Sequence, residues 1–431
     1  MSSVVILGTL LSGCLVTPEL QTVKAPNELD FNYWLLNTIY LWPEDLKNKT
    51  YYQGTPSEAD SFKNVSAMYQ DLKTTEESHG RYTHYTPPIQ APDVIHNNEN
   101  KVAPGSLGFE FRTLKVQDRL TDSIVVRRVF NRSPAETMGL KNGDILVSIN
   151  DSTVSSSQDY SSEQDLLNRT AGDSNTVEIL VLRNDSLQTL NGNRGAVAVP
   201  TVYTDTLSEI PYIRITGFLS NPVLGIETDA EFREALVEMT GAPLIILDLR
   251  ANLGGYVHLA MAVADEIIAS GLMGYGYIKY PGADTETYAD TLYYEATSGG
   301  AGENSEFIIL TDYNTASASE ILIAALKHNR GFKCIGEPTR GKGVGQQNWR
   351  TPAGGLAVIT SLQFFYGNGL SWNEVGFTPD ISAPRSESIN KALEYAGVTT
   401  KLGLQKKWNP FLSNPDINAL PLALVEKEFL P

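Results

Sequence analysis

Cysteine and histidine are both scarce in this chain of 431 residues. The only cysteines are Cys14 and Cys334, so neither a disulfide framework nor a cysteine-based zinc site is possible. The five histidines, at positions 79, 84, 96, 258 and 328, make no His-Glu-x-x-His motif and no other metal-ligand spacing. No metal or other cofactor is therefore expected. A Gly-x-Ser-x-Gly elbow is absent. Only His258 lies beside a plausible site, and a lone histidine there is more often structural. Runs of Lys and Arg are absent too. With 33 basic against 50 acidic residues the net charge is −17, and no cluster of Lys and Arg stands ready to neutralise phosphates. Nucleic acid is excluded as a partner on that ground. No internal repeat, low-complexity tract or apolar run long enough for a membrane-spanning helix is present.

Apolar residues supply 42 % of the chain, enough to bury a core over most of its length. The length predicts more than one domain. Near the start, Val4-Val5-Ile6-Leu7-Gly8-Thr9-Leu10-Leu11 is a short apolar run of signal-peptide length. Leu11-Ser12-Gly13-Cys14 follows it and resembles the bacterial lipobox. That resemblance implies a signal peptide over residues 1–14 and a lipid on Cys14. It also implies a tether over 15–26, placement in the bacterial cell envelope, and membrane attachment through the lipid anchor only.

Three textures follow. Residues 27–98 predict a small N-terminal helical domain and a linker. Phe31, Tyr33, Trp34, Leu35, Leu36, Ile39, Tyr40 and Trp42 recur at helical spacing until Pro43, and residues 61–72 read as a second helix. Residues 99–190 predict a β-rich module of short strands with two short helices. Residues 200–388 predict an α/β domain. Strands at 212–215, 244–249 and 307–310 alternate with helices at 229–240, 258–270 and 319–327, which argues for a mainly parallel sheet. Residues 389–431 form a C-terminal segment.

Three segments of the α/β region can carry chemistry. Asn314-Thr315-Ala316-Ser317-Ala318-Ser319-Glu320 follows a buried strand and opens a helix. A serine there can attack a carbonyl, and the helix N-terminus favours an oxyanion. Helix capping is the plainer role for such a serine. Gly336-Glu337-Pro338-Thr339-Arg340-Gly341-Lys342-Gly343 nearly matches a phosphate loop, but Gly343 stands where Ser or Thr must hold magnesium. Lys342 is either an exposed turn lysine or, if desolvated, a base for a hydroxyl. Gln346, one helical-type step further on, can orient it. Asp248-Leu249-Arg250-Ala251-Asn252-Leu253-Gly254-Gly255 lies at the C-terminal end of a buried strand, where α/β sheets place their sites. Its glycine pair can expose an N–H to an oxyanion, or can simply make a turn.

Together these segments resemble the C-terminal processing peptidases, or tail-specific proteases. The likeness runs over residues 106–381 and adds a fourth signature, Val375-Gly376-Phe377-Thr378-Pro379-Asp380. It implies a ClpP/crotonase-like α/β core. It implies a serine endopeptidase with Ser317 as nucleophile, rather than Ser319, Lys342 as base and Gln346 as its support. The oxyanion hole would be the Ala318 N–H with that of Gly254 or Gly255. The β-rich module resembles an inserted PDZ domain. The N–H groups of Leu107-Gly108-Phe109 would hold the terminal carboxylate of a protein or peptide substrate, and the helix near Leu166 and Leu167 would line the side-chain pocket. Leu107 and Phe109 are equally well placed as strand core. Residues 281–303, rich in Gly, Asp and Thr, are expected to be an insertion forming a lid or rim. The second functional reading is a non-catalytic PDZ-type peptide-binding lipoprotein, against which the intact Ser, Lys and Gln argue.

Overall fold

The computed structural model describes residues 27–46, 58–73, 79–88, 102–116, 119–130, 132–221, 226–281 and 287–398. Cys14, with its expected signal peptide and tether, lies outside the described residues, as does the chain beyond 398. Described residues within 1–99, 201–220 and 227–400 form one compact unit, and those within 100–200 form most of a second.

In the first unit Leu244–Asp248 is the central strand, and four of its five residues are buried. Parallel strands covered by helices on both faces read as continuous apolar runs, which is why this strand was legible. It pairs in parallel with Ile210–Ile215 on one side and Glu306–Thr311 on the other. Lys333–Gly336 and Ile381–Ser382 extend the sheet in parallel, and Val202–Leu207 closes its far edge antiparallel to Ile210–Ile215. Helices Thr228–Glu238, Val257–Asp265 and Ala318–Arg330 supply residues to one core with these strands. The α/β core is therefore present.

A second, antiparallel sheet also belongs to this unit. His84–Thr86, Leu356–Phe365, Gly271–Pro281 and Thr287–Ala296 lie side by side, with Val344–Arg350 also on Leu356–Phe365, and every pairing is antiparallel. Gly274 and Gly276 hid the strand Gly271–Pro281, since glycine is depleted in strands. The fold uses Gly276 for close packing: a Cβ there would stand 3.2 Å from the Phe364 ring. Within 281–303, expected to form a lid or rim, Thr287–Ala296 is a strand at the edge of this sheet, paired along Gly271–Pro281.

The N-terminal helices Glu28–Ile39 and Glu58–Lys73 are present, and their core includes Trp349, Ala357 and Ile359 of the second sheet. Their aromatic stripe is core: Phe31, Leu35, Leu36, Ile39 and Tyr40 are all buried.

The second unit holds a sheet in the order Phe109–Val116, Arg119–Val129, Ile145–Ile149, Thr176–Arg183, Ser186–Asn193, with Ser152–Thr153 on Ile145–Ile149. A separate ribbon pairs Val102–Ser106 with Gly195–Ala198. The helices are Pro134–Thr137 and Glu163–Ala171. Leu107, Phe109, Leu166 and Leu167 all belong to its core.

Candidate active site

The end of strand Leu244–Asp248 is fixed by a buried ion pair. Arg250 donates from Nε to Asp248 Oδ1 at 2.9 Å and from a terminal nitrogen to Oδ2 at 2.6 Å, and Tyr212 Oη donates to Oδ2 at 2.5 Å. Burial pushes the Asp248 carboxyl up, but the charge and hydrogen bonds of Arg250, the charge of Arg214 and the Tyr212 hydrogen bond together outweigh it and hold the group below the ordinary carboxylate range. Arg250 also reaches the Arg385 carbonyl and the Ser388 hydroxyl, tying the turn to the C-terminal part of the unit.

Asn252 joins this turn to the serine segment. Its carbonyl accepts from the Ala316 N–H at 3.0 Å and from the Ser319 hydroxyl at 3.0 Å. Its side chain donates to the Ile215 carbonyl and accepts from the Gly254 N–H at 2.9 Å. Two open questions are narrowed by these bonds. Ser319 is fully buried with its hydroxyl engaged, whereas Ser317 is half-buried. Of the two glycines expected to offer an N–H, Gly254 has its N–H engaged with the Asn252 side chain. Gly254 has another use. A Cβ there would lie 2.8 Å from Ser317 Cβ and 2.9 Å from Ala318 N, so only glycine lets the turn come this close. Ala318 opens the helix Ala318–Arg330, so its N–H has no partner one turn back.

Ser317 itself has φ +57° and ψ −119°, a conformation an L-residue adopts at a cost of about 1–3 kcal/mol. The surroundings hold it there. Its N–H donates to Glu320 Oε2 at 2.9 Å, and its carbonyl accepts from the Glu320 N–H at 2.8 Å. This is the Ser-x-x-Glu arrangement of a helix start, and the same carboxylate does more. Glu320 Oε1 accepts from the Thr339 hydroxyl and the Gly341 N–H, each at 2.6 Å. Glu320 Oε2 accepts from the Lys342 N–H at 2.8 Å. One oxygen thus takes the backbone amides of both Ser317 and Lys342. Burial pushes the Glu320 carboxyl up, and these four donors pull against it. The near-match to a phosphate loop now has a physical meaning. Successive N–H groups do wrap an anion, and that anion is a carboxylate of the protein.

The Lys342 ammonium lies 4.8 Å from the centre of the Tyr82 ring. Tyr82 comes from the turn His79–Tyr82, in the region whose role the sequence left blank. Its neighbour Thr83 bonds the hydroxyl of Thr360 at 2.9 Å, and the Gln346 amide points at the same hydroxyl at 3.4 Å. The expected helical step from Lys342 to Gln346 is corrected: Val344–Arg350 is a strand, with a bulge between Gly345 and Gln346. His258 sits against Tyr256, ring centres 5.5 Å apart, and burial holds its pKa down. Glu320, Tyr82 and Thr339 are the residues to which the sequence reading gave no role. The Ser-x-x-Glu spacing was the available signal for Glu320. Tyr82 had none.

In the second unit the Leu107 and Gly108 N–H groups both point at a carboxylate, that of Glu163. They donate to its Oε1 at 2.7 and 3.0 Å, and the Ser106 hydroxyl bonds its Oε2. Gly108 has φ +88°, and a Cβ there would come 2.5 Å from Ser133 Cβ. Leu107 and Phe109 point their side chains into the core, so what they can offer a ligand is backbone.

Residues 209–383 match the model of peptidase family S41, and residues 105–193 match the PDZ domain model. A probable CtpA-like serine protease of Staphylococcus aureus is 25 % identical over 400 residues, covering 90 % of this chain and 73 % of that protein. The chloroplastic carboxyl-terminal-processing peptidase 2 of Arabidopsis thaliana is 28 % identical over 265 residues, covering 59 % of this chain and 48 % of its own. Among solved structures, a photosystem II D1 C-terminal processing protease aligns over 82 % of this chain and 92 % of its own, with 20 % identity and a TM-score of 0.48.

Proposed function

Since the chain belongs to the S41 C-terminal processing peptidases, carries a PDZ domain and is a serine-type peptidase, we propose that it cleaves proteins near their C-termini through a Ser317–Lys342 dyad. One observation carries the dyad reading: a single oxygen of Glu320 accepts the amides of both residues. Ser319, the competing serine, has its hydroxyl engaged with Asn252.

Ser317 Oγ attacks the scissile carbonyl carbon while Lys342 Nζ takes the hydroxyl proton. The oxygen of the tetrahedral intermediate lies toward the N–H groups of Ala318 and Gly255. Lys342 then gives its proton to the leaving amine, and the acyl-enzyme forms. Water attacks the ester, Lys342 accepts its proton, and the proton returns to Ser317 Oγ as the acid product leaves. Gln346 orients the lysine. The PDZ unit binds the substrate tail as an added strand along Phe109–Val116. The reading includes a bacterial cell envelope location with a lipid anchor on Cys14, and the lipobox-like Leu11-Ser12-Gly13-Cys14 supports it. Incorporation of labelled fatty acid, lost in Cys14→Ala, tests that anchor.

The test of the dyad is turnover of an unstructured protein by Ser317→Ala and Lys342→Ala. Both variants should lose activity and keep their fold. Full activity in either would remove that residue from the mechanism.

A further inference from the structure

We propose that Glu163 is a built-in competitor for the carboxylate-binding loop of the PDZ unit, and that it sets how strongly the protein takes free C-terminal tails. The inference rests on the tail-binding reading above.

The loop that should receive a terminal carboxylate already holds one. Glu163 Oε1 accepts from Leu107 and Gly108, and Oε2 bonds Ser106, whose side chain is 1 % exposed. These are the donors an arriving tail needs. A second carboxylate cannot share them, because two like charges a few ångströms apart repel strongly. Nor can the ligand simply sit beside Glu163, since each N–H makes one good hydrogen bond.

Glu163 is placed to leave. It is the first residue of helix Glu163–Ala171, outside the helix interior, and it is only half-buried. The helix keeps its cap without it, because Ser162 accepts from the Asp165 N–H at 3.1 Å. Leu166 and Leu167 anchor the next turn in the core. Arg194, whose charge attracts Glu163, is held by its bond to the Leu167 carbonyl at 2.7 Å. A tail carboxylate would therefore replace Glu163 bond for bond, while the peptide strand pairs alongside. The apparent affinity for a free tail is the intrinsic affinity reduced by the fraction of molecules with the loop open. A ligand with no carboxylate gains nothing from the exchange.

The experiment uses the full chain in a Ser317→Ala background, so that bound peptide survives. A panel of fluorescent decapeptides varying in the last residue is titrated, each as free acid and as C-terminal amide, against the parent, Glu163→Ala and Glu163→Gln. Glu163→Gln keeps the side-chain volume in case Glu163→Ala does not fold. The expected result is about tenfold tighter binding of free acids by Glu163→Ala. A smaller gain is expected for Glu163→Gln, with no gain for the amides. Equal binding of free acids by parent and variants would overturn the competitor role and leave tail binding standing. An equal gain for acids and amides would also overturn it, since the effect would then be one of groove shape. Failure of every peptide to bind any of the three proteins would overturn tail binding itself.

Discussion

Two glutamates do related work in the two units of this protein. Glu320 in the peptidase unit and Glu163 in the PDZ unit each draw backbone N–H groups of a glycine-containing loop onto one carboxylate. The settings differ. Glu320 is fully buried in the first turn of a thirteen-residue helix, and its four donors come from two separate segments. Burial raises the pKa of both carboxyls, but Glu163 keeps part of its surface open at the first position of a nine-residue helix, and its donors come from one short segment. An anion enclosed on all sides is architecture, whereas one at a rim can be exchanged for a ligand. The same backbone chemistry serves permanence in one unit and competition in the other.

The largest expected effect tests what the peptidase loop holds in place. Ser317→Gly should lower kcat by roughly 10⁴-fold or more. It should also raise the stability of the unit by about 1 kcal/mol, because glycine adopts φ +57° without strain. Paired activity and denaturant-melting measurements check this, and a loss of both together would mean the backbone there is unstrained.

The next effect is on stability. Arg250→Met strands Asp248 in the core and should destabilise the peptidase unit by about 3–5 kcal/mol. In the parent, Asp248 contributes stability above the unfolded carboxylate pKa of about 3.9 and loses it as pH falls through its lower folded value. The sign reverses in Arg250→Met, where acidification toward about pH 4 should lessen the defect. Melts at two pH values decide it. Arg183→Met removes the partly exposed partner of Asp144 in the PDZ unit and should cost only about 1–2 kcal/mol.

Glu320→Gln keeps the shape but turns an amide NH₂ toward N–H donors. It should lower kcat by about 10²-fold with KM nearly unchanged, as expected of a positioning group whose loss displaces the proposed dyad. Glu163→Gln should leave kcat alone on a substrate that needs no tail. If both glutamines behaved alike in steady-state kinetics, the contrast between the two loops would fail.

The smallest effect is a silence. Burial pushes the Cys334 thiol up to about 12, so it should not react with a thiol reagent at pH 8 until the chain is unfolded. Rapid labelling of a folded Cys14→Ala variant, in which Cys334 is the remaining thiol, would show the sheet to be open at that strand.

Much of the parallel sheet and its helices was legible, because buried strands such as Leu244–Asp248 and helices such as Ala318–Arg330 differ in period and length. The antiparallel sheet was not. Gly271–Pro281 carries glycines where close packing needs them, and Val344–Arg350 is mostly polar and half-buried, so neither strand announces itself. The candidate dyad was legible only through the company its residues keep. Ser317 alone reads as a cap and Lys342 alone as a turn residue.

What the sequence determined by itself is a set of local facts: a serine opening a helix, a glycine-flanked lysine, a glycine pair after a buried strand, and a Ser-x-x-Glu spacing. These are short-range, and residue chemistry suffices to state them. Which hydroxyl is engaged, which glycine N–H is engaged, and which anion each loop encloses were decided by the tertiary structure. The Glu320 oxygen that joins the Ser317 and Lys342 amides spans 22 residues of chain, and the Glu163 carboxylate reaches a loop 56 residues away from it. Hydrogen bonds of that range depend on packing, which no local pattern encodes.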